Sequence, residues 1–163
     1  MTTTHPSRIF LHGLESSSRG TKAMFLRSIF PDILTPDFSG TLEERMRSLE
    51  PFLVRSDQWV MVGSSFGGLM AALWTCAHPA RVRKLVLLAP ALHRPEFANA
   101  HFEPVDVPTV LIHGSHDDIV PLDRVRELAR RTFRVLDHRV VDDEHALRRT
   151  ASAIDWLDLL RVA

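Results

Sequence analysis

The sequence predicts an α/β domain: a parallel sheet of about six strands with helices on both faces and no cap domain. Short apolar runs alternate along the chain with segments whose apolar residues recur at helical spacing. Pro31, Pro36, Pro51, Pro79, Pro90, Pro108 and Pro121 fall mostly at the seams between them, where a missing N–H and a fixed φ do least harm. Between one such run and one such helical segment lies Gly63-Ser64-Ser65-Phe66-Gly67, a G-x-S-x-G string.

The first strand spans residues 8–11, around Ile9-Phe10-Leu11. A helix over 21–30 follows, then a strand over 32–35. Residues 41–54 form a helix with Leu42, Met46, Leu49 and Leu53 on one face. Trp59-Val60-Met61-Val62 is apolar throughout and reads as a buried strand. After Ser65 the helical spacing of Phe66, Leu69, Met70, Leu73 and Cys76 sets in. Strands follow over 84–89 and 109–113. A helix over 121–132 gathers Leu122, Val125, Leu128 and Ala129. The last strand covers 135–141, and the last helix, over 146–161, gathers Leu147, Ala151, Ile154, Leu157 and Leu160. Crossovers between parallel strands are right-handed. The longest connection without periodicity, residues 90–108, reads as a wall of a small pocket.

Residues 1–163 fit one domain with a real core, at 45% hydrophobic and 25% charged residues. Twenty basic residues balance twenty acidic ones, which points away from nucleic acid and anionic membrane as partners. Cys76 is the single cysteine and falls on an apolar helix face, as a buried, inert thiol. No apolar run reaches the length of a membrane span, and Ile9-Phe10-Leu11 is too brief for a signal segment. The expectation is a cytoplasmic protein.

In open α/β sheets, ligands bind beyond the carboxyl ends of the strands. The segments near Leu14, Ser65 and Asp117 each follow a strand directly, so they share one rim. A serine hydroxyl is a poor nucleophile until a base takes its proton, and the base needs an orienting group. An acid follows the strand over 109–113, in Gly114-Ser115-His116-Asp117-Asp118, and His145 follows the last strand. Asp117 and Asp118 compete for the acid's role, with Asp142 and Asp143 behind them. Phe66, at a helix start, carries an amide free to meet an oxyanion, and Leu14 is the candidate for a second. Leu14, Phe66, Leu92 and Phe97 are candidate walls for the substrate. His113 and His116 with the neighbouring acids follow no zinc spacing, so no metal is expected.

With these residues in view, the chain resembles the α/β-hydrolase superfamily over nearly its whole length. The carriers are His12-Gly13 with its Ser-rich loop, the Gly63–Gly68 string, the Gly114–Asp117 turn ending in Val120-Pro121, and His145. More narrowly, Leu11-His12-Gly13-Leu14-Glu15-Ser16-Ser17 with Lys22 is similar to small lidless bacterial esterases of the YqiA type. The resemblance implies Ser65 as nucleophile, Asp117 as acid (from the spacing to Gly114) and His145 as base. It implies hydrolysis of carboxylic esters through an acyl-enzyme, with no cofactor. A thioesterase with the same triad and a non-catalytic ligand-binding homologue are the alternatives. The resemblance also implies that two antiparallel edge strands of the full fold are missing, which leaves a sheet edge on which a second copy could pair.

Overall fold

The computed structural model describes residues 5–163. Five of the expected strands form, lie parallel and pair in chain order: β1 (Ser7–Leu11), β2 (Trp59–Ser64), β3 (Val82–Leu88), β4 (Thr109–Gly114) and β5 (Leu136–Val141). Between β1 and β2 lie α1 (Thr21–Ile29) and α2 (Leu42–Leu53). α3 (Phe66–Ala77) connects β2 to β3, α4 (Pro95–Ala98) lies between β3 and β4, and α5 (Leu122–Thr132) connects β4 to β5. α6 (Arg148–Ala153) and α7 (Trp156–Leu159) end the described chain.

The middle of the sheet is buried on both faces, so β2 and the inner parts of β1, β3 and β4 are largely apolar. The edge strand β5 is half-exposed and carries Asp137, His138 and Arg139. The side chains still alternate. Ile9, Leu11, Met61, Leu85, Leu87 and Leu111 pack with α2, α3, α4 and α5. Phe10, Val60, Val62, Val86, Leu88 and Ile112 pack with α1, α6 and α7. Trp59, Trp74 and Trp156 are all buried in these two layers. Register puts Leu11 beside Gly63, Ser64 beside Leu88 and Gly114 beside Val141. The carboxyl ends of all five strands are therefore level, and the loops that leave them meet.

Two expected elements are different in the structure. The strand over 32–35 shrinks to a single bridge between Leu34 and Ile9. The Leu34 amide donates to the Arg8 carbonyl at 2.9 Å, and the Phe10 amide donates to Leu34 at 2.8 Å. The next rung of a parallel ladder would need an N–H at residue 36, which is Pro36. The sheet thus has five strands and a bridge in place of six strands.

The helix over 146–161 is broken into α6 and α7. Leu147 takes φ 51, so helical geometry begins only at Arg148. Ile154 is extended, and the Asp155 carboxylate caps α7 by accepting from the Asp158 amide at 3.0 Å. A short acidic side chain that bonds the backbone locally competes with helix continuation. Trp156 Nε1–H donates to the Ala151 carbonyl at 2.8 Å and satisfies the end of α6. Where the sequence showed no periodicity, α4 starts with Pro95 at its first position, where proline's missing N–H costs nothing.

Candidate active site

The turn from β2 into α3 carries Ser65 with φ 54 and ψ −114. A non-glycine residue in this region is strained, and packing must hold it there. The Ser65 amide donates to Leu88 O at 2.9 Å, which ties the turn to β3. Two glycines make room for it. A Cβ on Gly63 would meet the Gly67 carbonyl, and a Cβ on Gly67 would run into the Leu11 carbonyl. The sharp turn aims Oγ along the rim rather than into the core.

The turn after β4 brings Asp117 under the rim. Its side chain is wholly buried. Oδ1 accepts from the amides of Ile119 at 2.9 Å and Val120 at 2.8 Å. Oδ2 faces His145 Nδ1 at 2.8 Å and His113 Nε2 at 3.1 Å. Burial pushes the Asp117 carboxyl up. The Val120 amide, His145 and the Ile119 amide outweigh burial, so it ionises below the ordinary carboxylate value.

His145 comes from the loop after β5, which is built on Asp143. The Asp143 carboxylate accepts from the amides of Glu144 at 2.8 Å and Thr150 at 2.9 Å, and from the Thr150 hydroxyl at 2.8 Å. The other face of the His145 ring meets the serine: Nε2 lies 3.0 Å from Ser65 Oγ. With Nδ1–H donating to Asp117, Nε2 is left to accept the serine proton. The structure thus brings Ser65, His145 and Asp117 into one hydrogen-bonded chain. Asp118 is exposed, Asp142 pairs with His116 at 2.7 Å, and Asp143 is consumed by its own loop.

Architecture and known structures agree. A family model of the alpha/beta hydrolase fold matches residues 53–107, which contain β2, the serine turn and α3. No curated protein sequence matches the chain. Alpha/beta hydrolase domain-containing protein 10 from mouse superimposes with a TM-score of 0.74 at 21% identity, covering 94% of this chain and 89% of its own. A protein from Xanthomonas campestris pv. campestris, described as a hydrolase of the alpha/beta superfamily, gives 0.77 at 24% identity and 91% of each chain. Est1E from Butyrivibrio proteoclasticus with ferulic acid bound gives 0.74 at 17% identity, covering 95% of this chain and 88% of its own. The chain has the α/β-hydrolase fold.

In this α/β-hydrolase fold the loop after β1 runs beside the serine: a Cβ on Gly13 would lie 3.5 Å from Ser65 Cβ. His12, which the sequence reading used only as part of a motif, anchors that loop. Its Nδ1–H donates to the Gly13 carbonyl at 2.7 Å, and its Nε2 accepts from the Phe38 amide at 3.0 Å. Among the described residues, neither the Leu14 nor the Phe66 amide donates to a protein acceptor. Both remain available to a ligand.

A cleft of about 680 Å³ opens at Ser65 and His145. Its walls include Leu14, Phe25, Ile119 and Ala146, together with Lys22 and Arg148. Leu14 is a wall of this cleft. Leu92 and Phe97 are not: both are 0% exposed, packed under the sheet face that holds α3 and α5. The 90–108 connection folds inward because its α4 buries Phe97 against Phe102, with ring centroids 5.1 Å apart. The Phe66 side chain also turns into the core, between the guanidinium groups of Arg45 and Arg94, and only its backbone faces the rim.

His113 and His116 diverge. His113 is buried against Asp117 and the Val120 carbonyl, and His116 is on the surface. Among the described residues no group of three or more His, Cys, Asp or Glu side chains is arranged to hold a metal. Half-buried Cys76 lies on α3, where burial pushes its thiol up to about 12. No helix of the described residues is long and apolar enough to cross a membrane.

Proposed function

We propose that this chain is a serine hydrolase of carboxylic esters. The observation that carries the reading is the chain of contacts from Ser65 Oγ to His145 Nε2 at 3.0 Å and from His145 Nδ1 to Asp117 Oδ2 at 2.8 Å. A serine, an imidazole and a buried carboxylate in this order supply a nucleophile, a general base and an orienting anion suited to acyl transfer.

Ser65 Oγ attacks the acyl carbonyl as His145 Nε2 takes its proton. The negative charge that develops on the carbonyl oxygen is met by the amides of Leu14 and Phe66. The α3 dipole, positive at Phe66, acts in the same sense. The tetrahedral species collapses with loss of the alcohol oxygen, which leaves with the proton from His145. Water then attacks the Ser65 acyl ester, gives a proton to His145, and the acid departs as that proton returns to Ser65. Asp117 stays ionised throughout and fixes the imidazole orientation. Ferulic acid in the structurally similar Est1E is consistent with a small carboxylic acid as product.

The test is intact-mass analysis after a fluorophosphonate probe, with Ser65→Ala alongside. One adduct on the native chain and none on the variant is the expected result, with ester turnover lost in the variant. A folded native chain that takes no adduct and cleaves no ester overturns the proposal.

A further inference from the structure

Two cations line the cleft without a counter-charge bound to them. Lys22 lies in the first turn of α1, and Arg148 opens α6 on the facing side. Among the described residues neither forms an ion pair or donates a side-chain hydrogen bond. Other arginines nearby behave differently: Arg94 pairs with Glu96 at 3.2 Å, and Arg149 donates to the Asp142 carbonyl. The first turn of α1 contains no acidic residue that could answer Lys22.

Lys22 is also partly withdrawn from water. Burial, then the neighbouring Arg148, push its ammonium pKa below the ordinary lysine value, and Asp143 offsets part of this. Asp143 is the carboxylate whose charge acts on Lys22, yet its oxygens are filled by Glu144 and Thr150. Among the described residues Glu15 is the only carboxylate lining the cleft, and it is exposed on the rim. A desolvated cation without a partner is costly, and a repelling second cation adds to the cost. An anion bound between the two relieves both.

Resting on the hydrolase reading above, we propose that the cleft selects esters that carry an anionic group, a carboxylate or a phosphate, held by Lys22 and Arg148 while the acyl carbonyl lies at Ser65. Among the other lining residues, Phe10, Leu14, Phe25 and Ala151 are apolar and suit the carbon skeleton between the two groups, beside the polar Ser16, Thr21 and Ser152. A guanidinium forks onto two oxygens of either anion, and an ammonium adds a point charge.

Two matched ester pairs test this. Mono-4-nitrophenyl adipate is compared with its methyl ester, and 4-acetoxyphenyl phosphate with 4-acetoxyanisole. The expected result is a kcat/KM about 10-fold higher for the anionic member of at least one pair. The pair that shows the preference identifies carboxylate or phosphate. Lys22→Met and Arg148→Met each bring that ratio towards one, and Lys22→Arg keeps it. With the native protein alone, about 0.5 M salt narrows the ratio by screening. Equal or lower kcat/KM for both anionic esters, with the neutral esters cleaved, overturns the anion preference and leaves the hydrolase reading standing. No cleavage of any ester and no fluorophosphonate adduct at Ser65 overturns both.

Discussion

His113 Nε2 lies 3.1 Å from Asp117 Oδ2, the same oxygen that faces His145 Nδ1 at 2.8 Å. A single carboxylate oxygen therefore joins two imidazoles, one at the rim and one in the core. His113 is wholly buried, and burial pushes its pKa down although the Val120 carbonyl and Asp117 pull it up. As a neutral ring its Nε2–H is shared between Asp117 and the Val120 carbonyl. Together with the amides of Ile119 and Val120 on Oδ1, it holds the carboxylate that faces His145.

His113 is thus a positioning residue for Asp117. His113→Leu removes one donor to a buried charge, a loss of about 1.5–3 kcal/mol. Urea unfolding should register that loss. On the folded variant, kcat should fall by about 10-fold with KM little changed, because the orientation of Asp117 matters in the transition state more than in substrate binding. His113→Gln keeps an N–H donor and should recover part of kcat. A KM rise with unchanged kcat in His113→Leu would count against this role.

The depressed pKa of Asp117 makes a prediction about acid stability. Its carboxyl ionises below the ordinary value of 3.8, so the folded state binds its proton less readily than the unfolded chain. The stabilisation is fully present above the unfolded value and is lost as pH falls through the lower folded one. Asp117→Asn should therefore be less stable than the native chain at neutral pH. The gap should stay constant down to about pH 5 and close at more acidic pH. Urea midpoints measured from pH 7 to pH 2 provide the check, and a gap that is the same at both ends contradicts the assignment.

Strain at Ser65 separates stability from activity. Its φ of 54 with ψ −114 suits glycine, and holding another residue there costs about 1–3 kcal/mol. Ser65→Gly and Ser65→Ala should both lose ester turnover. Ser65→Gly should nevertheless be more stable than Ser65→Ala by about 1 kcal/mol, or about 3 °C in Tm. Thermal unfolding of the two variants side by side measures the difference. Equal melting temperatures would mean that the turn is not strained in solution.

Much of the site was legible because its parts are local. A strand, a G-x-S-x-G turn and a helix are consecutive in the chain, so Trp59–Ser64, Ser65 and Phe66–Ala77 could be read together. Apolar runs located β1, β3 and β4 to within a few residues, and the half-exposed β5 was found with Val140 and Val141 at its end. Local pattern failed where one backbone group decided the outcome. Pro36 removed the N–H that residues 32–35 needed to continue as a strand, and the Asp155 cap with left-handed Leu147 split the last helix.

The sequence by itself determined the alternation of strands and helices and the rim from which the loops depart, and it marked Ser65 and His145 as candidates there while leaving Asp117 and Asp118 to compete as the acid. Their chemistry follows from residue type and from position after a strand. Only the tertiary structure decided which side chains share a boundary with them. Nothing along the chain relates His113 on β4 to both Asp117 and the core, or Lys22 on α1 to Arg148 on α6, since those contacts depend on how distant elements pack. The same packing buried Leu92 and Phe97, whose loop position suggested pocket walls, because an apolar side chain goes to whichever surface excludes more water.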